Sequence, residues 1–209
     1  MSEREQQTES TALPWQERPA HEIEQIGGAV CLDFANTVGG SRENPKERLN
    51  RYEDLIGWSI HAGTIDPETG DALLSLAGAE RKHADRVLDR SRQLREAIYR
   101  IFAAIAGDHE TTGEDVARLN AELEHAQVHL RVTPVDGGFD YLFADGRALD
   151  RPLWPIARSA ADLLVSDDLG RVKRCGGHDC DWLFLDQSKN KSRRWCDMRD
   201  CGNRAKARR

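Results

Sequence analysis

Four of the five cysteines lie close together in the last part of the chain, as two pairs with the same internal spacing. Four residues separate Cys175 from Cys180, and four separate Cys196 from Cys201. Thiolates in two close pairs suit a tetrahedral zinc ion, because each pair spans one edge of the tetrahedron. Four protein ligands leave no open coordination position, so the pattern predicts one structural Zn²⁺ ion and not a catalytic one.

Disulfide bonds and inert free thiols are the two alternatives to zinc. The first twenty residues are polar and lack the apolar core of a secretion signal, which favours metal binding over disulfides. His178 lies between the two cysteines of the first pair and is an alternative ligand. We expect it to lie near the metal without binding it. The fifth cysteine, Cys31, is flanked by Val30 and Leu32 and is expected to be buried in the core.

The segment that holds the paired cysteines is also the basic part of an acidic chain. The whole chain has a formal net charge of -6, whereas residues 171–209 hold twelve lysines and arginines against five aspartates. Cations that neutralise phosphates release counterions, the main source of sequence-independent affinity for nucleic acid. The candidate nucleic-acid contacts are Lys189, Lys191, Arg193, Arg194, Arg199, Asn203, Arg204, Lys206, Arg208 and Arg209.

Several of these side chains have a second interpretation. Arg204 is able to read a guanine through two hydrogen bonds, but we favour a phosphate contact or a structural ion pair. Asn203 either reads a base or caps the adjacent helix or turn. Three aromatic residues are candidate stacking platforms for unpaired RNA bases, although the last is expected to shield the metal: Trp182, Phe184 and Trp195.

Apolar residues at helical spacing dominate the chain before the cysteines. Spacings of mostly three and four residues predict helices over residues 51–63, 80–106, 114–126 and 151–165. A further helix is predicted to begin at Pro67 with Asp66 as its N-cap, and Thr112 is a second N-cap candidate. The N-terminal domain is therefore expected to be mostly helical.

Two segments depart from the helical period. Apolar and polar residues alternate over 128–132 and 139–143, which predicts a β-hairpin with a five-residue connection over 134–138. Residues 27–40 form a short apolar segment between glycine pairs, which is either a helix or a buried strand. Within it we expect Asp33 and Asn36 to cap helices or bridge loops rather than bind a ligand.

The predicted organisation has four parts. A mobile tail over residues 1–20 precedes a mostly α domain with a small β-hairpin, an α+β fold, over 21–166. A hinge at 167–170 leads to a small treble-clef-like or ribbon-like zinc finger over 171–209. So short a segment has few apolar side chains and is near the size at which a metal is usually required for folding.

The last 36 residues resemble a known family. RCGGHDCDWLFLDQSKNKSRRWCDMRDCGNRAKARR is similar to the CGNR zinc finger, whose signature here is Cys201, Gly202, Asn203 and Arg204. GGAVCLDFANTV, at 27–38, resembles the start of the ABATE domain, the usual partner of this finger. The resemblance implies a stress-induced transcription regulator whose finger binds DNA.

Residues and resemblance together predict a cytoplasmic, zinc-dependent DNA-binding regulator with an N-terminal domain that senses a ligand or a partner. An RNA-binding zinc protein and a protein–protein interaction module are the alternatives. No nucleotide-binding loop or nucleophile–base arrangement is present in the sequence, so we expect no enzymatic activity. No stretch of the sequence is long and apolar enough to span a membrane. The sequence leaves open whether the protein is a monomer or a homodimer.

Overall fold

The computed structural model describes residues 20–107, 109–144 and 146–208. The tail predicted over residues 1–20 lies outside the described residues except for Ala20, and so does Arg209. The described part of the chain is mostly helical with three small antiparallel hairpins, which confirms the predicted fold class.

The helices and strands are numbered here in chain order. The helices are α1 (Val30–Ala35), α2 (Tyr52–His61), α3 (Pro67–Ala79), α4 (Arg81–Ala106), α5 (Gly113–Gln127), α6 (Leu153–Leu164) and α7 (Asn203–Ala207). The strands are β1 (Gly39–Ser41), β2 (Asn44–Lys46), β3 (Leu130–Val135), β4 (Gly138–Phe143), β5 (Val172–Arg174) and β6 (Leu183–Leu185). Short 3-10 helices lie at Ala20–Glu22 and Leu169–Arg171, and a single wide helical turn lies at Met198–Gly202.

Two predicted N-caps are confirmed. The Asp66 carboxylate accepts a hydrogen bond from the Thr69 amide at 2.8 Å, and Pro67 occupies the first turn of α3. The Thr112 hydroxyl accepts a hydrogen bond from the Asp115 amide at the start of α5. Both side chains satisfy amides that the first helical turn leaves without a partner, so these helix starts are fixed by local sequence.

The long helix α4 is the centre of the helical domain. It packs against α1, α2, α3, α5 and α6, so its apolar face contacts most of the other helices. Large side chains fill the space around it and belong to one continuous core: Phe34, Trp58, Phe102 and Phe184. Since Phe184 belongs to β6, this core extends into the cysteine-rich segment.

The segment over 27–40, ambiguous in sequence, contains both kinds of element. It forms α1 and then turns into β1, which pairs with β2 in a hairpin that the sequence did not predict. Both elements are short, which explains why periodicity did not separate them. The next helix, α2, ends at His61, two residues before the predicted end at Gly63.

The hairpin of β3 and β4 is confirmed, but its predicted five-residue connection is wrong. The ladder runs from Leu130 opposite Phe143 to Val135 opposite Gly138, so only two residues connect the strands. Gly137 has a φ of 88°, a left-handed conformation that glycine adopts without strain. This residue lets the chain reverse at once, so the pairing continues through positions that sequence assigned to the loop.

The cysteine-rich segment folds as a hairpin followed by a helix. Strands β5 and β6 pair antiparallel, with Cys175 and Cys180 in the connection between them. A long loop then leads through Cys196 to the turn at Met198–Gly202 and into α7. Hairpin, loop and helix correspond to the treble-clef-like form of the predicted finger. The predicted hinge at 167–170 overlaps the 3-10 helix Leu169–Arg171.

Candidate metal centre and basic loop

The sulfur atoms of the four paired cysteines converge on one buried point. They all lie within 4.8 Å of one another, and Cys196 Sγ is 3.6 Å from both Cys180 Sγ and Cys201 Sγ. A zinc–sulfur bond of about 2.3 Å gives a regular tetrahedron with edges of roughly 3.8 Å. Cys175 completes the set, and all four residues are buried. The donor set therefore fits a single structural zinc site, as predicted.

Local geometry brings the two cysteine pairs together. The first pair lies in a tight connection, where a Cβ added at Gly177 would sit 3.2 Å from Cys201 Sγ and 3.3 Å from Cys180 Cβ. A side chain at this position would press against a metal ligand, so the glycine permits the close approach. In the second pair, the Asp197 carboxylate accepts a hydrogen bond from the Arg199 amide and fixes the turn that carries Cys201.

Amide and guanidinium groups donate to the sulfur atoms. The Cys196 amide donates to Cys175 Sγ at 3.3 Å, and Arg204 Nη2 donates to Cys201 Sγ at 3.0 Å. Hydrogen bonding with Cys175 is the largest cause that raises the pKa of the Cys180 and Cys196 thiols, and burial adds to it. Four thiolates within 4.8 Å of one another repel, and a zinc ion at their centre would offset this negative charge.

His178 lies outside the sulfur cluster, in agreement with the expectation that it does not bind the metal. Its imidazole is exposed and hydrogen-bonded to Asp179 at 2.7 Å. Asp179 also accepts from Arg208 at 3.0 Å. These three residues form a small surface network beside the first cysteine pair.

A buried carboxylate holds the loop between the cysteine pairs in place. Asp186 is completely buried and accepts hydrogen bonds from Lys173 Nζ, from the Ser188 amide and hydroxyl, and from the Arg193 amide, over 2.5–3.0 Å. Desolvation would raise the pKa of Asp186, but its ion pair with Lys173 and these hydrogen bonds lower it well below the usual range. Neither Asp186 nor Lys173 was predicted from the sequence as a site residue. We call residues 188–194, which this carboxylate anchors, the basic loop.

The predicted nucleic-acid contacts fall into two groups, and in the first the side chains contact the protein itself. Arg193 donates to the carbonyls of Ile26, Trp195 and Cys196 and lies over the ring of Phe184. The others form ion pairs or a cap: Arg199 with Asp197 and Glu24, Asn203 with the Arg199 carbonyl, Arg204 with Asp200, and Arg208 with Asp179. The ion pair of Arg204 corresponds to the structural role that we favoured, and the hydrogen bond of Asn203 corresponds to its capping alternative.

Exposed cations without an acidic partner among the described residues make up the second group. Lys189, Lys191 and Arg194 lie on the basic loop, and Lys206 lies on α7. Lys191 has a φ of 50°, so its backbone takes the left-handed conformation that is uncommon outside glycine. Its carbonyl accepts a hydrogen bond from Lys173, which ties this conformation to the Asp186 anchor.

Two of the three candidate stacking residues are not available to bases. Trp182 is 5% exposed and Phe184 is completely buried. The Trp182 indole donates to the Val38 carbonyl at 2.9 Å, so it packs toward the helical domain. Trp195 is partly exposed, with Arg194 over its ring at 5.6 Å.

The finger is joined to the helical domain through α1. The Asn36 side chain donates to the Leu183 carbonyl and accepts from the Leu183 amide, each at 2.8 Å. Asp33 accepts from the Gly27 amide at 2.7 Å, and desolvation by burial raises the pKa of Asp33 to about 6. Asp33 bridges to the loop at Gly27, as expected, whereas Asn36 bonds to strand β6 and not to a loop. Cys31 is completely buried, and desolvation raises its thiol pKa to about 12, which agrees with an unreactive core residue.

These features define a helical protein that carries a four-cysteine zinc finger, and the comparisons with known families agree. The ABATE model, described as "Putative stress-induced transcription regulator", matches residues 28–167, and the CGNR zinc finger model matches residues 171–209. The chain belongs to the ABATE family and carries a CGNR zinc finger, as its resemblance to both implied. No curated protein matches the chain. Among the described residues, no helix combines the length and apolar composition that crossing a bilayer needs.

Proposed function

We propose that this protein is a cytoplasmic, non-enzymatic transcription regulator whose zinc finger binds duplex DNA. One observation carries the proposal: Lys189, Lys191 and Arg194 are exposed on a loop that is anchored beside the metal site. Cations held in a fixed arrangement neutralise phosphates with less loss of side-chain and loop freedom than a flexible tail does. The description of the ABATE family as a stress-induced transcription regulator supports the same function.

Duplex DNA is favoured over single-stranded RNA because of the aromatic residues. Recognition of single strands relies on stacking bases against exposed rings. Trp182 and Phe184 are buried, so Trp195 is the one remaining ring of the three, and Arg194 covers it in part. A surface of exposed cations with little aromatic area is better suited to the backbone of a duplex.

The helical domain is proposed to act on the finger through α1. Asn36 and Trp182 form hydrogen bonds across the contact between the two, so a ligand or partner that shifts α1 also shifts β6. Such a shift changes the basic loop, because Asp186 directly follows β6 and anchors that loop. A homodimer would present two fingers to DNA and enlarge an interface that is small for one finger.

Titration of a labelled duplex with zinc-loaded protein at increasing salt tests the DNA-binding proposal. The logarithm of the association constant should fall linearly with the logarithm of salt concentration, with a slope of about -0.9 for each neutralised phosphate. Replacing Lys189, Lys191 and Arg194 together by glutamine should make this slope shallower by up to about 2.7. The matched control removes three exposed cations from α4, at Arg81, Lys82 and Arg86, and should leave the slope unchanged.

Equal losses in the loop variant and the α4 variant would contradict the proposal, since they would reflect net charge alone. No binding by the wild-type protein at low salt would also contradict it. Competition with single-stranded RNA separates the alternative function: RNA that displaces the duplex at a lower concentration than unlabelled duplex would favour an RNA-binding protein.

A further inference from the structure

Exposed apolar side chains are concentrated on the β3–β4 hairpin. Among the described residues, eight large hydrophobic side chains are exposed, and six of them lie in this hairpin or directly before it. These six are 42–74% exposed: Val128, Val132, Val135, Phe139, Tyr141 and Leu142. Single exposed apolar residues are ordinary on protein surfaces, but a contiguous group marks an interaction site.

The hairpin also has strand edges that no described strand covers. Strands β3 and β4 form a sheet of two strands only, so each keeps one edge without a strand partner among the described residues. The hairpin is attached to the helical domain near its base, where Phe143 packs against Trp154 and Arg158 lies over Tyr141. Farther along, Phe139 is 74% exposed.

The two edges differ in their capacity to pair with another strand. The β3 edge contains Pro134, which has no amide hydrogen to donate, and Arg131, and proteins commonly use such residues to block an edge. Strand β4, with the sequence GFDYLF, has no proline and a single charge at Asp140. The edge of β4 is therefore the one able to accept a further strand.

The ladder indicates which backbone groups of β4 face outward. The Ala144 amide donates to the His129 carbonyl at 2.8 Å, so in the alternation of an antiparallel ladder the even-numbered residues of β4 bond to β3. The odd-numbered residues then direct their amides and carbonyls away from β3. The Tyr141 amide agrees with this, because it donates to the Asp140 side chain and not to β3.

We propose that β4 pairs antiparallel with β4 of a second copy of this chain, so that the two hairpins form a four-stranded sheet. A two-fold axis through the middle of β4 places Tyr141 opposite Tyr141 of the other copy. In this register Phe139 faces Phe143, and Asp140 faces Leu142. All three odd-numbered pairs are aromatic, and aromatic cross-strand pairs are among the most favourable in sheets.

Charge excludes one of the two neighbouring symmetric registers. An axis through Asp140 would place two carboxylates directly opposite each other, which is destabilising. In the register centred on Tyr141, each Asp140 faces an apolar side chain. The Tyr141 amide then donates to a backbone carbonyl of the second copy instead of to the Asp140 side chain. The register centred on Tyr141 therefore avoids this repulsion and pairs aromatic residues at every odd-numbered position.

The exposed apolar side chains flank the β4 edge on both faces of the hairpin. Val132, Phe139 and Tyr141 lie on one face, because Val132 is opposite Tyr141, and Val135 and Leu142 lie on the other. A standard interface buries about 800 Å² on each partner, and pairing along this edge extends both apolar faces across the two copies. The proposal does not depend on DNA binding, although a dimer would carry two fingers.

Light scattering of the full zinc-loaded chain after size-exclusion chromatography tests the pairing. The wild-type protein should have twice the 23.5 kDa mass of one chain. Tyr141→Lys and Tyr141→Glu each place like charges across the two-fold axis, so each variant alone should have the mass of one chain. An equimolar mixture should recover the dimer, because lysine then faces glutamate.

Val165→Lys is the matched control, since Val165 is 87% exposed and lies outside the hairpin. This variant should remain a dimer, and circular dichroism and zinc content should show that all variants are folded. If the wild-type protein is a monomer at about 100 μM, the proposal is overturned. The β4 edge would then be available to pair with a strand of a different protein. A dimer that survives both Tyr141 substitutions, or a mixture that stays monomeric, would overturn the assigned strand and register.

Discussion

At the scale of single residues, buried carboxylates decide how this protein is organised. Asp186 anchors the basic loop, and Asp33 holds the chain at Gly27 before α1. Their environments have opposite effects, since four donors, one of them the Lys173 ammonium, lower the pKa of Asp186, whereas desolvation raises that of Asp33. The sequence predicted that Asp33 caps a helix or bridges a loop, and the structure shows the second of these roles. It gave no signal for Asp186, because its partners are up to 13 residues away and come together only in the fold.

Replacing Asp186 by asparagine should loosen the basic loop and weaken DNA binding. Asparagine has one acceptor oxygen, so it leaves donors from Ser188 or Arg193 without a partner and Lys173 without a counter-charge. We expect a loss of about 2–4 kcal/mol in the free energy of unfolding. Urea denaturation and proteolysis within the loop measure this change. The control Asp167→Asn, at an exposed aspartate, should be neutral, and equal stability of the two variants would contradict the anchoring role.

Asp33 should make stability depend on pH. Its pKa rises from 3.8 to about 6 on folding, so between these values the folded protein keeps a proton that the unfolded chain releases. Stability therefore falls as pH increases through this window. Asp33→Asn stays neutral, so its stability relative to the wild type should increase by about 1–3 kcal/mol from pH 4 to pH 6.5. Denaturation curves of both proteins across this range measure the difference, and a constant difference would rule out the ionisation.

At the scale of elements, sequence succeeds where local patterns decide the structure. The periodicity of α4 and the caps at Asp66 and Thr112 are local, and each is confirmed. The equal spacing of the cysteines likewise sufficed for the zinc site. The β1–β2 hairpin was missed because its strands have three residues each, too short for a period. The packing of β6 on α1 was missed because it joins positions 147 residues apart.

Asn36 is the residue that tests the contact between α1 and β6. Asn36→Ala removes both hydrogen bonds to Leu183 and leaves a buried amide and carbonyl without partners. The free energy of unfolding should fall by about 2–4 kcal/mol. Urea denaturation measures this loss, and Asn44→Ala, at an exposed asparagine, is the control. If both variants unfold at the same urea concentration, the contact does not stabilise the fold.

At the scale of the whole molecule, the helical domain and the finger share one core. Cys175, Cys180, Cys196 and Cys201 belong to the same buried cluster as Phe34 and Trp58 of the helical domain. The sequence predicted two modules connected by a hinge at 167–170. In the fold these two modules make extensive contact with each other. This arrangement gives the metal an influence beyond the finger, because losing the finger would expose the apolar face of α1 to water.

Removing zinc should therefore destabilise the helical domain as well as the finger. Metal binding supplies much of the folding energy of so small a segment, and β6 would leave its place on α1 when the finger unfolds. Addition of a strong chelator should lower the midpoint temperature at which the helices unfold, measured by circular dichroism. Re-addition of zinc should restore it. An unchanged midpoint after complete zinc removal would show that the two parts unfold independently.

Zinc content per chain tests the central claim most directly, because the sulfur geometry, the finger and the proposed DNA surface all depend on it. Elemental analysis of freshly purified, reduced protein should find one zinc ion per chain. Cys196→Ser should lose most of this zinc, since one of four ligands is removed from a closed site. Wild-type protein with much less than one zinc per chain, or a Cys196→Ser variant that keeps a full equivalent, would contradict the account.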